Sequence, residues 1–475
     1  MSKVKVGIIF GGFSKEREVS FAGGRTVYDN LNKSIFDAVP LFVDSFGNFV
    51  LLNWQFIYKG SIRDFYPPVE FLPAHNTQFQ LYAENLGNLN NTEQEAMITK
   101  IGKKVSVEEL HKLIDIAFLC LHGPYGEDGK LQGLLEYYKI PYTGSGILSS
   151  SIGIDKSVQK QLMVNAGFNS PAYFTIDRND YINGNCKQAF AQAKEKIKFP
   201  LVVKPANQGS SIGVSILMKD NEHAFMQAVE KAFFTKWVDA AEWNKLNNEQ
   251  KFEFVRTLAD IREGIGMPCK VENEIIYDPN KLIEFFNAEL RSKEGLVVEA
   301  LDGESTVLVE GFIEGREFSC IVLEDENGKA IALPPTEIKK GKELFDYRSK
   351  YLPGLSRKIT PIDLPTEQIN QIRTDCQKLF YALHFDVYAR IDGFISNDGK
   401  IFLNDPNTTS GMMPSSFFFH QAAEIGLNPS QFLTYIIHAS LTKRIKQSKG
   451  ARLYEPVMDN LENLIHKDKH AVNNK

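Results

Sequence analysis

Short apolar runs alternate with stretches of helical period along most of the chain, the pattern of strands interleaved with helices. Residues 4–10 read as a strand, Gly11-Gly12 as a turn, and the run to about residue 31 as a helix. Strand, glycine turn and helix in this order present a helix N-terminus to anions. Residues 114–122 read as another strand. It ends in the loop His122-Gly123-Pro124-Tyr125-Gly126-Glu127-Asp128-Gly129, before a helix over 131–139 and a strand over 140–143. Residues 53–104 are polar and irregular, which predicts loops. These elements make an N-terminal open α/β domain over 1–148.

Asp155-Lys156 opens a helix in a second region, 149–236, with a strand over 172–176 and a helix over 188–197. Its centre, residues 199–214, reads as strand, small-residue loop, strand. Backbone N–H groups with little side-chain bulk suit close approach to phosphate, and Lys204 ends the incoming strand. The loop is either such a cradle or an ordinary glycine/serine hairpin turn. Residues 237–300 carry charged helical stretches at 244–261 and 279–293. They read as a mostly helical insertion serving packing or a subunit contact. The β pattern resumes over 307–319, with Glu310 at a strand end. Residues 341–356, holding Phe345-Asp346-Tyr347-Arg348-Ser349-Lys350-Tyr351, read as a mobile cover or a plain exposed loop. A helix over 366–383 leads to residues 388–417. Helices at 421–425 and 429–446 close the region 301–448, and the charged tail 449–475 is expected to fray.

Residues 388–407 read as a buried hairpin about Asn397-Asp398-Gly399-Lys400. With those residues as the loop, Ser396 faces Ile401, Phe394 faces Leu403 and Asp392 faces Asp405. Facing like charges are destabilising, and a cation between them removes the conflict. Arg390 shares the face of Asp392, and Asn407 that of Asp405. Oxygen ligands of this kind suit Mg²⁺. Asp392, Asp405 and Asn407 are the candidate metal ligands; the bland alternative is a solvated hairpin end.

Composition narrows the classes. A chain of 475 residues exceeds what one core supports, which implies two to four domains. Hydrophobic content of 43% and charged content of 24% are ordinary for a soluble protein, and a net charge of −5 offers no basic surface for nucleic acid. No apolar run suits a membrane span or a secretory leader. Five scattered cysteines without a C-x-x-C pair are expected to be reduced thiols of a cytoplasmic protein.

Six stretches in chain order carry a resemblance. They are residues 11–20 (GGFSKEREVS), Leu121-His122-Gly123 with 126–129, and Val203-Lys204-Pro205 with 209–213. Then come Gly315-Arg316-Glu317-Phe318, residues 346–351 (DYRSKY), and Arg390-Ile391-Asp392 through Asn407 and Gly411. Over most of residues 1–430 the chain resembles the D-alanyl-D-alanine ligases of the ATP-grasp superfamily. The resemblance implies an N-terminal α/β domain followed by a two-part α+β ATP-grasp domain. It implies an ATP-dependent ligase that makes a dipeptide for peptidoglycan: ATP phosphorylates the carboxylate of one D-alanine, and the amine of a second attacks the acyl phosphate.

What the resemblance implies for residues is specific. Lys156, Lys204, Ser211 and Lys350 serve ATP, and Glu310, Ile313 and Glu317 hold adenine and ribose. Lys350 and Tyr351 close over the site. Two Mg²⁺ ions, or Mn²⁺, sit on Asp392, Asp405 and Asn407. Glu16 pairs with the first ammonium, backed by a Ser210–Tyr351 link. Arg390 and the Gly411 amide face the oxyanion; Ser416 takes the second carboxylate, with Phe417 beside it. His122 lies near the first substrate, either orienting the glycine loop or moving a proton. A homodimer is implied. The chain departs from the family pattern at Asp405 (usually glutamate), Pro406 (usually apolar), Ser410 (usually proline) and Phe417 (often leucine). The shorter Asp405 must come closer or bind one metal only. A paralogue joining another amino or hydroxy acid and a nucleotide-binding regulator without turnover are the competing readings.

Overall fold

In the computed structural model, which describes residues 2–73, 79–182, 186–340, 356–448 and 452–473, strand β1 (Val4–Gly11) is buried along its length except at Lys5. A run apolar on both faces needs cover on both faces, as in the middle of a parallel sheet. Its sheet runs β4-β3-β2-β1-β5, with β2 (Phe36–Val43), β3 (Phe49–Leu52), β4 (Gly102–Val105) and β5 (Ile116–Leu119). β2 and β5 flank β1 in parallel; β3 and β4 continue antiparallel. The C-terminal end of β1 is therefore a switch point, where loops leaving toward opposite sides open a crevice. Glu16 follows β1 and His122 follows β5, so topology alone brings them to one mouth.

Residues 53–104 are more ordered than their polarity predicts. They contain the helix Asn91–Ile101, begun by a reciprocal Asn90/Glu93 capping box, and the edge strand β4. Over 140–143, by contrast, the pairing is a single parallel bridge from Tyr142 to Ala117.

β6 (Tyr173–Asp177), β7 (Leu201–Pro205) and β8 (Ser215–Leu217) begin a second sheet. The insertion then departs from the mostly helical expectation. β9 (Thr235–Asp239), β10 (Cys269–Val271), β11 (Glu274–Ile276) and β12 (Gly295–Ala300) form an antiparallel sheet in the order β11-β10-β12-β9. Helices Ala240–Lys245, Asn248–Ala259 and Pro279–Glu289 accompany it, sharing a core with Trp243, Leu282 and Phe286. The helix expected over 244–261 breaks where the Asn247 side chain caps a new one. Strands of three residues beside charged helices carry too little period-two signal to be read. Asp239 and Gly295 are register partners, so the insertion leaves and rejoins the fold at adjacent points. β13 (Thr306–Gly311) completes the second sheet in the order β6-β13-β7-β8.

The third sheet holds β14 (Gly315–Glu324), β15 (Ala330–Ala332), β16 (Thr336–Lys340), β17 (Ser356–Ile359), β18 (Tyr388–Ser396) and β19 (Ile401–Asn407). Helix Thr366–Ala382 buries Ile372, Cys376, Leu379 and Phe380 in its core. The β18–β19 register corrects the expected one. Ile395 faces Ile401, Phe394 faces Phe402 and Asp392 faces Asn404. The loop is five residues, closed by the Ser396 N–H donating to the Lys400 carbonyl at 2.9 Å. A bulge then follows: Ile391 faces Pro406, Arg390 faces Asn407, and Asp405 takes φ 46°. Asp392 and Asp405 are not cross-strand partners. The bulge residue is left-handed here, a conformation aspartate tolerates better than most side chains.

The tail is a helix, Glu455–Asn473, rather than frayed chain. Met458 and Leu461 are buried, Ile465 packs on the same core, and Asp468 accepts from Asn32 Nδ2 at 2.8 Å. Their i, i+3, i+7 spacing was present in the sequence beneath the charges. Among the described residues no helix is long and apolar enough to cross a membrane.

Candidate active site

The loop after β1 is bent by Gly11 and Gly12, at φ 95° and 92°, and tied back where the Gly11 N–H donates to Ser20 Oγ at 2.9 Å. This sets Glu16 immediately before helix Arg17–Asn30, only 5% exposed. One Glu16 carboxylate oxygen accepts from the Ser210 hydroxyl; the other has no hydrogen-bond partner among the described residues. Gly209 permits the approach, since a Cβ there would come within 2.6 Å of Glu16 Oε2. His122 is buried with Nδ1 3.2 Å from Glu127 Oε1, while Glu127 Oε2 accepts from the Gly123 N–H at 2.7 Å. His122 Nε2 has no partner among the described residues.

Burial, then the charge of Glu127, pushes Glu16 above the usual carboxylate range; His122 and Ser210 pull it back only in part. His122 is raised: burial opposes this, and the Glu127 hydrogen bond and charge outweigh burial. A buried carboxylate oxygen and an imidazole nitrogen, both unsatisfied, call for a small polar ligand with a cationic donor.

A second cluster lies across the Gln208–Val214 loop. Asp155 caps helix Lys156–Asn165 by accepting from the Ser157 and Val158 N–H groups, which sets Lys156 and Lys160 one turn apart on one face. β7 and β13 pair Val202 with Glu310 and Lys204 with Leu308, so Lys204 and Glu310 meet diagonally on one face. Glu310 is clasped by Lys204 at 2.5 Å and Lys160 at 2.8 Å. Burial alone would raise Glu310, but the two ammoniums outweigh it and hold it at about 2. Burial lowers Lys204, offset in part by Glu310. Lys156 donates to the Gln208 carbonyl at 2.8 Å and pairs with Asp405 at 3.1 Å. Ser210, Ser211 and Gly213 take φ 52°, 60° and 73°, a tight backbone turn facing the cleft. Ile313 and Phe312 wall the cleft, and Glu317, Asp392 and Asp405 line it with Lys156, Lys204 and Ser211. Apolar walls beside convergent charges and amides suit a nucleotide.

Asp392 pairs with Arg390 at 3.1 Å, and another Arg390 nitrogen donates to Ser410 Oγ at 3.1 Å. Asn407 Nδ2 donates to the Asp405 carbonyl at 2.5 Å. The donor set of two carboxylates and an amide is all hard oxygen, as Mg²⁺ requires. Among the described residues no three His, Cys, Asp or Glu side chains form a metal-binding group. Two carboxylates and an amide would fill only part of a Mg²⁺ coordination sphere, as at sites where substrate phosphates supply the rest. Beyond Arg390 lies a smaller cavity lined by Gly411, Ser416 and Phe417. Ser416 begins helix Phe417–Glu424, and its buried hydroxyl has no partner among the described residues. Lys350 and Tyr351, and with them the Ser210–Tyr351 link, lie outside the described residues.

Three groups of expected residues thus meet: Glu16, Ser210 and His122; Lys156, Lys204, Ser211, Glu310, Ile313, Glu317, Asp392 and Asp405; and Arg390, Gly411, Ser416 and Phe417. Asn407 reaches the second group through Asp405. Lys160 was missed, although its i+4 spacing from Lys156 was legible. Lys358, which lines the third group from β17, gave no sequence signal.

Residues 5–145 match the family model described as D-ala D-ala ligase N-terminus, and residues 162–238 with 288–438 match D-ala D-ala ligase C-terminus. The gap within the C-terminal match falls inside the insertion. The D-alanine--D-alanine ligase of Bacillus cytotoxicus is 28% identical over 449 residues, spanning 94% of this chain and 99% of that protein. That of Halothermothrix orenii is 29% identical over 447 residues, spanning 94% and 100%. Two solved structures share the fold. The VanG D-Ala:D-Ser ligase from Enterococcus faecalis has a TM-score of 0.60 at 24% identity, over 92% of this chain and 100% of that one. The D-alanine-D-alanine ligase from Coxiella burnetii has a TM-score of 0.61 at 20% identity, over 96% and 99%.

Proposed function

The chain belongs to the D-alanine–D-alanine ligase family, and from that premise we propose that it joins two D-alanines at the expense of ATP. The observation that carries this reading is the Glu16 carboxylate, buried with one oxygen unsatisfied and the other held by Ser210 of the loop beside the nucleotide cleft. An amino acid whose ammonium meets Glu16 has its carboxylate directed toward that cleft, where phosphoryl transfer gives an acyl phosphate. Lys156 and Lys204 neutralise phosphate charge, Ser211 contributes from the loop, and Glu310, Ile313 and Glu317 receive the nucleoside. Asp392, Asp405 and Asn407 would hold Mg²⁺, which when bound neutralises phosphate charge further.

The amine of a second D-alanine, seated by Ser416 and Phe417, then attacks the acyl carbon; the carbon–oxygen bond to phosphate breaks and a peptide bond forms. Arg390 and the Gly411 amide face the oxyanion that develops. His122 orients the glycine loop through Glu127. Lys350 and Tyr351, outside the described residues, belong to the cover of this site in the same reading. Dipeptide synthesis for peptidoglycan, a cytoplasmic location and a homodimer complete it; five free cysteines support a reducing compartment.

The test is phosphate release from MgATP with D-alanine, with product mass spectrometry over a panel of D- and L-amino acids and D-lactate. D-alanyl-D-alanine should dominate, with D-serine and glycine weak acceptors. Absence of D-alanine-dependent phosphate release, or a dominant ester product, would reject the proposal.

A further inference from the structure

Lys358 lies on β17 and reaches the smaller cavity, where it was not expected. Its ammonium donates to the Ser415 carbonyl and lies 4.4 Å from the centre of the Phe417 ring. Two contacts therefore fix where this cation points, and an ammonium has three protons to give. Burial, then the neighbouring Arg390 charge, lowers Lys358 to about 8. Among the described residues the charges around it do not balance. Arg390 and Lys358 both line the cavity, and Asp392, its acidic lining residue among those described, is the 3.1 Å partner of Arg390. His420, on the following helix, is pushed down by burial and then by Lys358, so it adds no counter-charge. Beside Lys358 stands the Ser416 hydroxyl, 6% exposed and without a hydrogen-bond partner among the described residues. A desolvated cation and an unsatisfied buried hydroxyl in one small cavity together make a site for a compact anion.

We propose that Lys358 is a second ligand, beside the expected Ser416, for the carboxylate of the acceptor amino acid, and that this cation makes the enzyme select acceptors carrying that group. The inference rests on the ligase reading and deepens it, because the occupant of this cavity is then the second substrate. The Phe417 ring has a part in it: it holds the ammonium by its face, which a leucine side chain cannot do. The Ser415 carbonyl fixes the other side of the ammonium. The acceptor is thus gripped by its carboxylate while its amine points back toward Arg390 and Gly411, where the acyl carbon stands.

The experiment uses the full chain with MgATP and D-alanine over a range wide enough to resolve the donor and acceptor Michaelis constants. Removing a charge-assisted hydrogen bond with Lys358→Met should raise the acceptor constant by about 10- to 100-fold. The donor constant and the ATP constant should stay unchanged, and Lys358→Arg should restore most of the loss. D-alaninamide, which has the amine without the carboxylate, should be a poor acceptor for the wild type. The methionine variant should lose most of that discrimination. An acceptor constant unmoved in Lys358→Met, or an equal rise in all three constants, would overturn the assignment while leaving the ligase reading standing. A wild-type chain with no D-alanine-dependent phosphate release overturns both.

Discussion

Glu16 offers a sharp separation between stability and binding. Its carboxylate is buried, one oxygen takes the Ser210 hydroxyl, and the other is unsatisfied among the described residues. Burial and Glu127 raise it above its ordinary 4.5. A group raised in this way contributes stability that is fully present below its unfolded value and lost as pH rises through its folded one. At neutral pH, above its ordinary value, Glu16 therefore costs the substrate-free fold stability that a group without a titrating proton would not. Glu16→Gln keeps the oxygen that accepts from Ser210 and removes the charge.

The substrate-free variant should unfold at the same temperature as the wild type or higher, and the difference should vanish as the pH falls below about 4.5. Binding goes the other way. The ammonium of the first substrate loses a charge-assisted bond worth about 1.5–3 kcal/mol, so the donor Michaelis constant should rise roughly 10- to 150-fold. The assays are thermal unfolding across pH and initial rates at saturating ATP. A variant clearly less stable than wild type at neutral pH, or one with an unchanged donor constant, would refute this account of Glu16.

Lys204→Met should abolish ATP binding by calorimetry. It should cost less stability than the ~3–5 kcal/mol of a fully broken buried pair, because Lys160 still holds Glu310 at 2.8 Å. Asp405→Glu should keep ligase activity and its Mg²⁺ dependence, at a stability cost of ~1 kcal/mol because residue 405 sits at φ 46°; loss of Mg²⁺-dependent turnover would count against a metal role. Lys15, next to Glu16, donates to the Ile265 carbonyl of the insertion at 2.6 Å, and burial lowers it to about 8. Lys15→Met should loosen that contact and raise the donor constant ahead of the acceptor constant, which two-site kinetics would reveal.

Local chemistry fixed much of this protein before any fold was known. The apolar run of residues 4–10 reads as a strand and the glycines after it as a turn. The small-residue loop after Lys204 and the stretch around Asp392 announced themselves by composition, because steric freedom and charge are properties of residue types. Register was less secure. A four-residue loop and a five-residue loop both fit residues 396–400; the five-residue loop shifted Asp392 onto Asn404, and the bulge at Asp405 restored the expected register only from Ile391 onward. The insertion sheet hid because strands as short as Cys269–Val271 hold no repeat long enough to read.

What only the tertiary structure decided is contact between distant segments. Ser210 meets Glu16 across 194 residues, and Lys160 meets Glu310 of β13 from a helix outside that sheet, through no local rule. The parallel order around β1 places Glu16 beside His122, and β17 carries Lys358 to Ser416 and Phe417. Sequence patterns record the preferences of near neighbours, within a turn of helix or a strand pair. A binding site records where the packing of whole sheets leaves buried charge unbalanced, and that balance exists only after the chain has closed on itself.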